Sequence, residues 1–369
     1  MKTLEKQDLY DILYGCTILG TGGGGSLETG LSLVNQALEA GKTFKLVDLS
    51  EAPDDSWIAV PYNCGSISPI TPEIEAKYAG LPVTNEPTPL LAYKALEEYL
   101  GRKFFGVISG ELGGGNTAQA LYAGAMMDRY IIDADTAGRS VPELQHSTFY
   151  IFNLPITPLA CANQFGEVAI LTKVVNDERA EALVRAMAVA SKNSMGVASQ
   201  PTQAKDLRNA VINGAISYAW KIGKVYREAK EKGELAAPRI AKAGGGFFLF
   251  QGEVSVFQYD TVDGFTVGDI EIKGKGQYDG QVYHIWFKNE HIISWRDGEV
   301  DVTVPDLICV FDDTGNEPVI NPNFTPGQKV SVIGLPAPSV WRLPRGLEIF
   351  GPKHFGHDIE YIPIEERHK

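Results

Sequence analysis

The sequence predicts an α/β fold followed by a domain with helices and a β-barrel, and three patterns support this fold class. Within residues 104–132 an apolar strand, a glycine-rich turn, an alanine-rich helix and a second short strand follow one another. That order is typical of a parallel sheet covered by helices. Residues 177–235 carry apolar side chains at helical spacing, and residues 243–345 contain short alternating strands separated by Asp-Gly turns, which predicts a barrel. We place one domain at residues 1–165 and the other at residues 166–369.

Hydrophobic periodicity predicts the individual elements of both domains. In the first domain the predicted helices cover residues 3–19, 27–40, part of 69–79, 89–100 and 116–127. Its predicted strands cover residues 44–49, 57–61, 104–108 and 131–132. In the second domain we expect a strand at 167–174, helices at 177–192 and 203–232, and barrel strands at 247–258, 265–272, 282–288, 291–295, 300–304, 307–311 and 329–334.

Composition indicates a globular protein and limits its partners. The chain has 369 residues, of which 44% are hydrophobic and 21% charged, values near those of soluble globular proteins. Its net charge of −13 argues against nucleic acid and anionic membrane as partners. The charged segment Met1–Asp8 lacks an apolar signal core, and no apolar run reaches the roughly 18 residues that suggest a membrane span. We therefore expect a cytoplasmic protein with a small-molecule substrate, and we expect it to form a homo-oligomer.

Four cysteines are spread along the chain and form no Cys-x-x-Cys pair: Cys16, Cys64, Cys161 and Cys309. Neither a disulfide framework nor a structural zinc site is expected from this spacing. Cys64 follows a predicted strand and has the best position for a nucleophile. No histidine follows it within its loop to activate the thiol, so we expect Cys64 not to be essential.

Two glycine-rich turns are candidate ligand-binding sites. The first, Gly20–Gly25, precedes a predicted helix, where exposed backbone N–H groups favour an anion. The second, Gly110–Asn116, follows a buried strand and opens a helix. The alternative for the first is a tight turn between packed helices, and the alternative for the second is that Glu111 only caps the turn. A polar pair between two predicted barrel strands, Asn289 and Glu290, is a further candidate. The candidate substrate-binding residues are therefore Thr21, Gly22, Gly23, Gly24, Gly25, Gly114, Gly115, Asn116, Asn289 and Glu290.

An acidic segment behind a short strand supplies the candidate catalytic groups. Asp133, Asp135, Arg139 and Glu143 lie within one short segment, and Glu111 of the second glycine turn can reach the same crevice. A carboxylate can act as a general base, and a guanidinium can orient a planar amide through two hydrogen bonds. The alternative is a surface loop in which Arg139 pairs with Asp135 or Glu143, and such pairs contribute little.

A histidine pair near the C-terminus, His354 and His357, has a spacing that metal ligands can have. The sequence offers no clear third ligand beside it, and a lone pair of histidines is usually not a metal site. We therefore expect no cofactor and no metal ligand among the site residues, and keep a divalent zinc ion as the alternative.

Several of these motifs occur together in one known family. They are G-T-G-G-G-G at Gly20–Gly25, E-x-G-G-G-N at Glu111–Asn116, D-A-D-x-x-G-R-x-x-P-E at Asp133–Glu143, the pair Asn289 and Glu290, Pro305–Ile308, and G-P-x-x-F-G at Gly351–Gly356. In this order, over nearly the whole chain, they resemble the S-methyl thiohydantoin desulfurase family. The resemblance implies an N-terminal three-layer α/β/α sandwich, a C-terminal domain with a β-barrel, and hydrolysis of a sulfur-bearing hydantoin ring. It also implies a hydantoinase/oxoprolinase-type partner protein.

The sequence departs from the family pattern at several positions. They are Cys64 and Ser66 in the segment 61–71, and His146, His354 and His357. These departures bear on the substrate rather than on the fold.

The motifs and the resemblance together predict a hydrolase of small cyclic amides, imides or thiohydantoins, with its site between the sheet and the β-region. We expect Asp133 and Asp135 to activate water or hold ring N–H groups, and Arg139 to bind a carboxylate or developing charge. Glycine N–H groups would stabilise an oxyanion, while Glu111 and Asn116 would position the substrate. The alternatives are a non-catalytic subunit or metabolite-binding protein associated with a hydantoinase-like enzyme, and a metal-dependent hydrolase.

Overall fold

Two β-sheets and the helices around them form a mixed α/β fold. The computed structural model describes residues 1–66 and 70–369. The strands of the first sheet are β1 Lys2–Leu4, β2 Phe44–Val47, β3 Trp57–Gly65, β4 Gly106–Ser109, β5 Tyr130–Asp135, β6 Leu159–Ala162, β7 Val168–Leu171, β8 Ser194–Gln203 and β9 Ile212–Asn213. Those of the second sheet are β10 Phe247–Val262, β11 Phe265–Gly274, β12 Val282–Lys288, β13 Glu290–Arg296, β14 Glu299–Thr303, β15 Leu307–Asp312, β16 Glu317–Pro318 and β17 Lys329–Leu335.

Most helices lie in the first two-thirds of the chain. They are α1 Lys6–Leu19, α2 Leu27–Glu39, α3 Pro72–Lys77, α4 Thr88–Leu100, α5 Asn116–Met126, α6 Thr148–Ile151, α7 Asp177–Val189, α8 Ala204–Leu207, α9 Ala215–Glu231, α10 Ala236–Ala243, α11 Pro344–Phe350 and α12 Ile364–Arg367. The segment predicted to contain α3 began at residue 69, which lies outside the described residues.

The first sheet has the strand order β1-β2-β5-β4-β3-β8-β6-β7, with β9 paired to β5 outside this path. Its centre, β2-β5-β4-β3, is parallel, and the other pairs are antiparallel. The carboxyl ends of β3, β4 and β5 therefore meet at one edge, where sheets of this kind bind ligands. The second glycine turn and the acidic segment lie at this edge because β4 ends at Ser109 and β5 at Asp135.

Helices pack on both faces of the first sheet. Successive strand residues point to opposite faces, so Ala59 of β3 packs with α1, α2, α4 and α5, whereas Ile58 and Val60 pack with α7. The same alternation separates Val107 from Ile108 in β4. Because both faces are buried, the central strands are nearly continuous apolar runs.

The second sheet is antiparallel throughout, in the order β14-β13-β12-β11-β10-β17-β15-β16. Asp263-Gly264 joins β10 to β11 and Asp297-Gly298 joins β13 to β14, with positive φ at all four residues, as hairpin turns of this type require. Within residues 1–66 and 70–369 no ladder joins β14 to β16. The antiparallel region is thus confirmed, but its closure into a β-barrel is not.

Residues 203–232 do not form the single long helix that their apolar spacing predicts. They contain α8, β9 and α9. The two residues of β9 pair with β5, and Gly214 adopts φ +74° directly before α9, a conformation that interrupts a right-handed helix. Pairing with the sheet therefore overrides the helical periodicity.

Two other segments are extended where the sequence predicted different structure. Residues 2–4 pair with β2 instead of beginning α1. Strand β3 was predicted to end at Pro61, but β8 pairs with it as far as Gly65. Cys64 therefore lies within a strand and not in a loop.

Strands from both sides of residue 165 contribute to the first sheet, since β8 pairs with β3. The division of the chain at residues 165 and 166 stays a prediction. Across the part of the chain that the structure describes, no helix combines the length and apolar character needed to cross a membrane.

Candidate functional site

A cavity of about 220 Å³ opens at the carboxyl edge of the first sheet, between the glycine turns, the acidic segment and the start of β13. The predicted site residues that line it are Gly24, Gly25, Glu111, Gly115, Asn116, Glu143, Asn289 and Glu290. Lining residues that the sequence analysis did not assign to the site include Tyr62, Asn63, Gln119, Thr136, His146, Arg185 and Gln200. The volume lies below the roughly 300–1,000 Å³ of sites for drug-sized ligands, so the cavity suits a small metabolite.

The two glycine-rich turns pack backbone to backbone beside this cavity. A Cβ placed on Gly24 would lie 2.4 Å from the Cα of Gly113, and one on Gly115 would lie 3.0 Å from the Cα of Gly25. The N–H groups of Gly115 and Asn116 both donate to the carbonyl oxygen of Gly24, at 3.0 Å each. Only glycine permits this approach of the backbones, and these two N–H groups are engaged within the protein.

Four predicted ligand-binding residues of the turns do not line the cavity: Thr21, Gly22, Gly23 and Gly114. The carbonyl oxygens of Thr21 and Gly22 accept hydrogen bonds from the backbone N–H groups of His291 and Asn321, at 2.8 Å each. The first turn therefore holds the second sheet against the first. The role of these four residues in substrate binding stays a prediction.

Asn289, between β12 and β13, sets the direction of the residue that follows it. It adopts φ +57°, and it pairs with Thr266 through its backbone N–H at 2.7 Å and its side-chain oxygen at 2.9 Å. These bonds fix the turn at the point where β13 enters the cavity wall.

Glu290, the first residue of β13, directs its carboxyl group against the first glycine turn. A Cβ on Gly23 would lie 1.8 Å from Glu290 Oε1. Glu290 is 3% exposed, and its Oε2 has no hydrogen-bond partner among the described residues. Burial raises the pKa of this carboxyl group well above its ordinary value, and the charge of Glu111 raises it further, although Arg139 opposes the shift. These surroundings favour the protonated form of Glu290.

Glu111, in the second glycine turn, accepts hydrogen bonds on both of its carboxylate oxygens. Oε1 accepts from the side-chain amide of Asn116 at 2.5 Å, and Oε2 accepts from the N–H of Val141 at 2.8 Å. Asn116 is itself held by the backbone N–H and C=O of Asn63, at 2.8 and 3.2 Å. Burial raises the pKa of Glu111 to about 7, and these hydrogen bonds limit the rise. Glu111 can therefore exchange a proton near neutral pH.

Two buried carboxyl groups of the cavity wall thus lie in different surroundings. Glu111 is stabilised as a carboxylate by two N–H donors, whereas Glu290 is buried without a partner for Oε2. Two titratable groups whose environments separate their pKa values are the usual arrangement of a general base and a general acid. This pair can therefore accept one proton and donate another.

Arg139 is fully buried and does not line the cavity. Its guanidinium donates to one hydroxyl and four carbonyl oxygens at 2.7–3.2 Å, those of Thr21, Ser140, His291, Pro305 and Asp306. These bonds occupy all five N–H donors of the group. Arg139 joins the first glycine turn to the second sheet, and no N–H remains for the carboxylate that the sequence analysis assigned to it.

Asp133 and Asp135 also lie outside the cavity lining. The carboxylate of Asp133 accepts hydrogen bonds from the N–H and hydroxyl of Ser217, at 2.9 and 2.5 Å, near the N-terminus of α9, where a negative charge is favourable. Asp135 is 0% exposed, and its Oδ1 accepts from the N–H groups of Ala137 and Gly138 at 2.7 and 2.5 Å. The catalytic roles expected for both stay predictions.

We expect Asp135→Asn to change the pH dependence of stability. Burial raises the pKa of Asp135 to about 7, above the value of about 3.9 in an unfolded chain. Its contribution to the free energy of unfolding is therefore fully present below about pH 4 and is lost as the pH rises through 7. The Asn variant lacks this loss. Its free energy of unfolding, relative to that of the wild type, should therefore increase by about 2–3 kcal/mol between pH 5 and 8.

Urea unfolding of both proteins at several pH values measures this difference. Parallel pH dependences of the two proteins would contradict the assignment of a buried, protonated Asp135. The same variant tests the catalytic role expected from the sequence, because unchanged turnover at pH 8 would remove Asp135 from the mechanism.

Cys64 lines the cavity from within β3 and is 6% exposed. Burial raises the pKa of its thiol far above the ordinary value, and the nearby carboxylate of Glu181 adds to the rise. A thiol in such a setting stays protonated at neutral pH and is a poor nucleophile. The geometry supports the expectation that Cys64 is not essential, which stays a prediction.

Arg185, on α7, is a cavity residue that the sequence analysis missed. It pairs with Glu181 at 2.7 Å and donates to the carbonyl oxygens of Gly65 and Pro142 at 2.9 and 3.2 Å. Glutamate and arginine four residues apart on a helix are typical of an exposed pair. Only the packing of α7 on β3 and β8 shows that both are buried.

Three potential metal ligands also meet at the cavity, and the sequence analysis did not combine them. The ligand atoms of Glu143, His146 and His354 lie within 4.8 Å of one another, and Glu143 and His146 line the cavity. The sequence considered His354 together with His357. Its partner in the structure, His146, is 208 residues away, so no local spacing could indicate the group.

Comparison with known proteins agrees with this architecture. Residues 7–173 match the N-terminal domain of the S-Me-THD-like family, and residues 175–364 match its C-terminal domain. A crystal structure of a protein from Chromobacterium violaceum has the same fold, with a TM-score of 0.76 and 22% identity over 99% of this chain and 100% of that chain. No curated protein matches the sequence. Because the two domain matches together span nearly the whole chain, the protein belongs to the S-Me-THD-like family, which confirms the resemblance to S-methyl thiohydantoin desulfurases.

Proposed function

We propose that the protein hydrolyses a small cyclic amide, and that its substrate is an S-methyl thiohydantoin or thiohydantoin. The observation that supports the proposal most directly is the pair Glu111 and Glu290, two buried carboxyl groups with raised pKa values in the wall of one cavity. Membership of the S-Me-THD-like family supports the substrate class.

The two carboxyl groups have complementary roles in the proposed reaction. Glu111, as the carboxylate, takes a proton from water while the water oxygen bonds to the ring carbon that carries the methylthio group. As the C–S bond breaks, Glu290 gives its proton to the sulfur, and methanethiol leaves. The hydroxyl proton of the product moves to the ring nitrogen and gives the hydantoin. The proton on Glu111 then returns to Glu290 through water, which restores the starting state.

The polar lining of the cavity suits a planar ring with N–H and C=O groups. Gln119 is 6% exposed, and its Oε1 has no partner among the described residues. Because a buried acceptor without a partner is costly, this oxygen is a suitable acceptor for a ring N–H. Asn116 is bonded to Asn63 and Glu111, so it orients the base, and its direct contact with substrate stays a prediction.

A turnover screen tests the proposal. The purified protein is incubated with a hydantoin, the corresponding thiohydantoin and the S-methyl thiohydantoin, all with the same side chain. Thiol release is followed with a chromogenic thiol reagent, and ring opening is followed by NMR. We expect methanethiol and an intact hydantoin ring from the S-methyl compound. Ring opening without thiol release would contradict the C–S step, and no turnover of any of the three would contradict the hydrolase.

A further inference from the structure

A cluster of two imidazoles and one carboxylate lies in the cavity wall, in addition to Glu111 and Glu290. Glu143 and His146 come from the acidic segment and the loop behind it, and His354 comes from the turn Pro352–Phe355 near the C-terminus. Their ligand atoms lie within 4.8 Å of one another. His146 Nε2 and His354 Nε2 face each other at 2.9 Å.

His146 is buried in a way that leaves its polar atoms incompletely satisfied. It is 0% exposed, and its ring packs against Phe350 and Phe355 with centroid distances of 4.9 and 5.5 Å. Its Nδ1 has no hydrogen-bond partner among the described residues, and the partner of its Nε2 is another imidazole. A buried polar side chain normally has its hydrogen-bonding groups paired. An ion bound to both Nε2 atoms would replace this contact between two imidazoles.

We propose that Glu143, His146 and His354 bind one divalent transition-metal ion of the zinc class in the wall of the cavity. Two histidines and one carboxylate are a ligand set that zinc and related metals accept, and three protein ligands leave a further coordination position open. Two nitrogen ligands of one ion lie roughly 3.0–3.4 Å apart, for bonds of about 2.0–2.1 Å. The Nε2 atoms, now 2.9 Å apart, need to move by only a few tenths of an ångström.

The surroundings of the cluster are compatible with this ion. The carboxylate of Glu143 accepts hydrogen bonds from Lys288 and Gln145, which hold it in place. Lys288 also packs on the ring of Phe265 at 4.1 Å. Its ammonium group pairs with Glu143, so an ion has to share this carboxylate with Lys288.

Because Glu143 and His146 line the cavity, an ion that they bind would lie beside the space that holds a ligand, with a coordination position left for that ligand. A water molecule or a sulfur or oxygen atom of the ligand can occupy it. The ion site does not depend on the proposed hydrolysis, because metal can bind whether or not the cavity turns over a thiohydantoin.

Cobalt and zinc titrations of the full-length protein test the site without substrate. The protein is first treated with a chelator and dialysed; Co²⁺ binding is then followed by its visible absorption and Zn²⁺ binding by calorimetry. We expect one ion per chain. His354→Ala should weaken binding by at least about 100-fold, since even loss of a supporting hydrogen bond costs about 10–100-fold. His354 is exposed, so this variant should fold.

The matched control is His357→Ala, which removes an imidazole three residues further along the same segment but outside the cluster. It should bind the ion as tightly as the wild type. Glu143→Gln provides a second test, because it keeps the side-chain shape and removes the charge. Absence of a cobalt spectrum in the wild type, or equal affinity in His354→Ala and the wild type, would overturn the site. Neither result bears on thiol release in the turnover screen.

Discussion

Replacement of Glu290 by Gln is expected to lower kcat of the proposed hydrolysis by roughly 10²–10⁴-fold, the range for loss of a positioned general acid or base. The raised pKa of Glu290 favours its protonated form, which carries the proton that the leaving sulfur needs. Glutamine has nearly the same shape as the protonated acid and fits equally well beside Gly23. The free energy of unfolding should therefore not fall, and it should exceed that of the wild type increasingly as the pH rises, because a carboxyl group with a raised pKa destabilises the folded wild type above the pKa of the unfolded chain.

Steady-state kinetics between pH 6 and 9, with urea unfolding of the same samples, measure this prediction. In the wild type kcat/KM should rise with pH through about 7, because Glu111 must lose its proton before it can take one from water. It should fall at higher pH, as Glu290 loses its own proton. Glu39→Gln, on the exposed face of α2, is a control for the chemical change. Wild-type kcat in Glu290→Gln would remove this residue from the mechanism.

Replacement of Gly24 by Ala is expected to lower the free energy of unfolding by about 2–5 kcal/mol, the sum of left-handed backbone strain and overpacking. Gly24 adopts φ +79°, and a Cβ there would lie 2.1 Å from Ser140 Oγ and 2.4 Å from the Cα of Gly113. The hydroxyl of Ser140 can rotate away. The backbone of Gly113 cannot, because the second glycine turn is held by its own hydrogen bonds.

Gly41→Ala is the matched control for this substitution. Gly41 adopts φ +72° after α2, and a Cβ there meets nothing within 4 Å. It should therefore show only the backbone strain, about 1–2 kcal/mol. Thermal and urea unfolding of the two variants separate the effect of backbone strain from the effect of overpacking. Equal losses in Gly24→Ala and Gly41→Ala would show that the contact between the turns contributes no stability.

The position of these turns is evident from the sequence, whereas their purpose is not. Four consecutive glycines between apolar helices are not required by the local secondary structure, so they indicate a position with a particular tertiary or functional role. The sequence analysis assigned them to a ligand, because glycine N–H groups commonly bind anions. In the structure Gly24 and Gly115 serve the approach of one backbone to the other. The contact joins segments about ninety residues apart along the chain, and no local pattern carries that information.

The acidic segment shows the same division between residue identity and role. Its motif correctly marks a strand end next to the cavity, and Glu143 does line the cavity. Arg139, however, is enclosed by acceptors from Thr21, His291 and the loop before β15. A guanidinium hydrogen-bonds to a ligand only if carbonyl oxygens of the protein do not already occupy its N–H groups. Those carbonyl oxygens come from distant parts of the chain and are brought together by folding.

By itself the sequence determined most of the elements, the parallel centre of the first sheet, the hairpins of the second and the family. These features follow from local rules: apolar periodicity, turn chemistry and the order of motifs. The tertiary structure alone decided that Glu111 and Glu290 are the buried carboxyl groups of the cavity, and that His146 meets His354. The physical reason is that proton affinity and metal binding depend on burial and on neighbours in space, and both arise only when distant segments pack together.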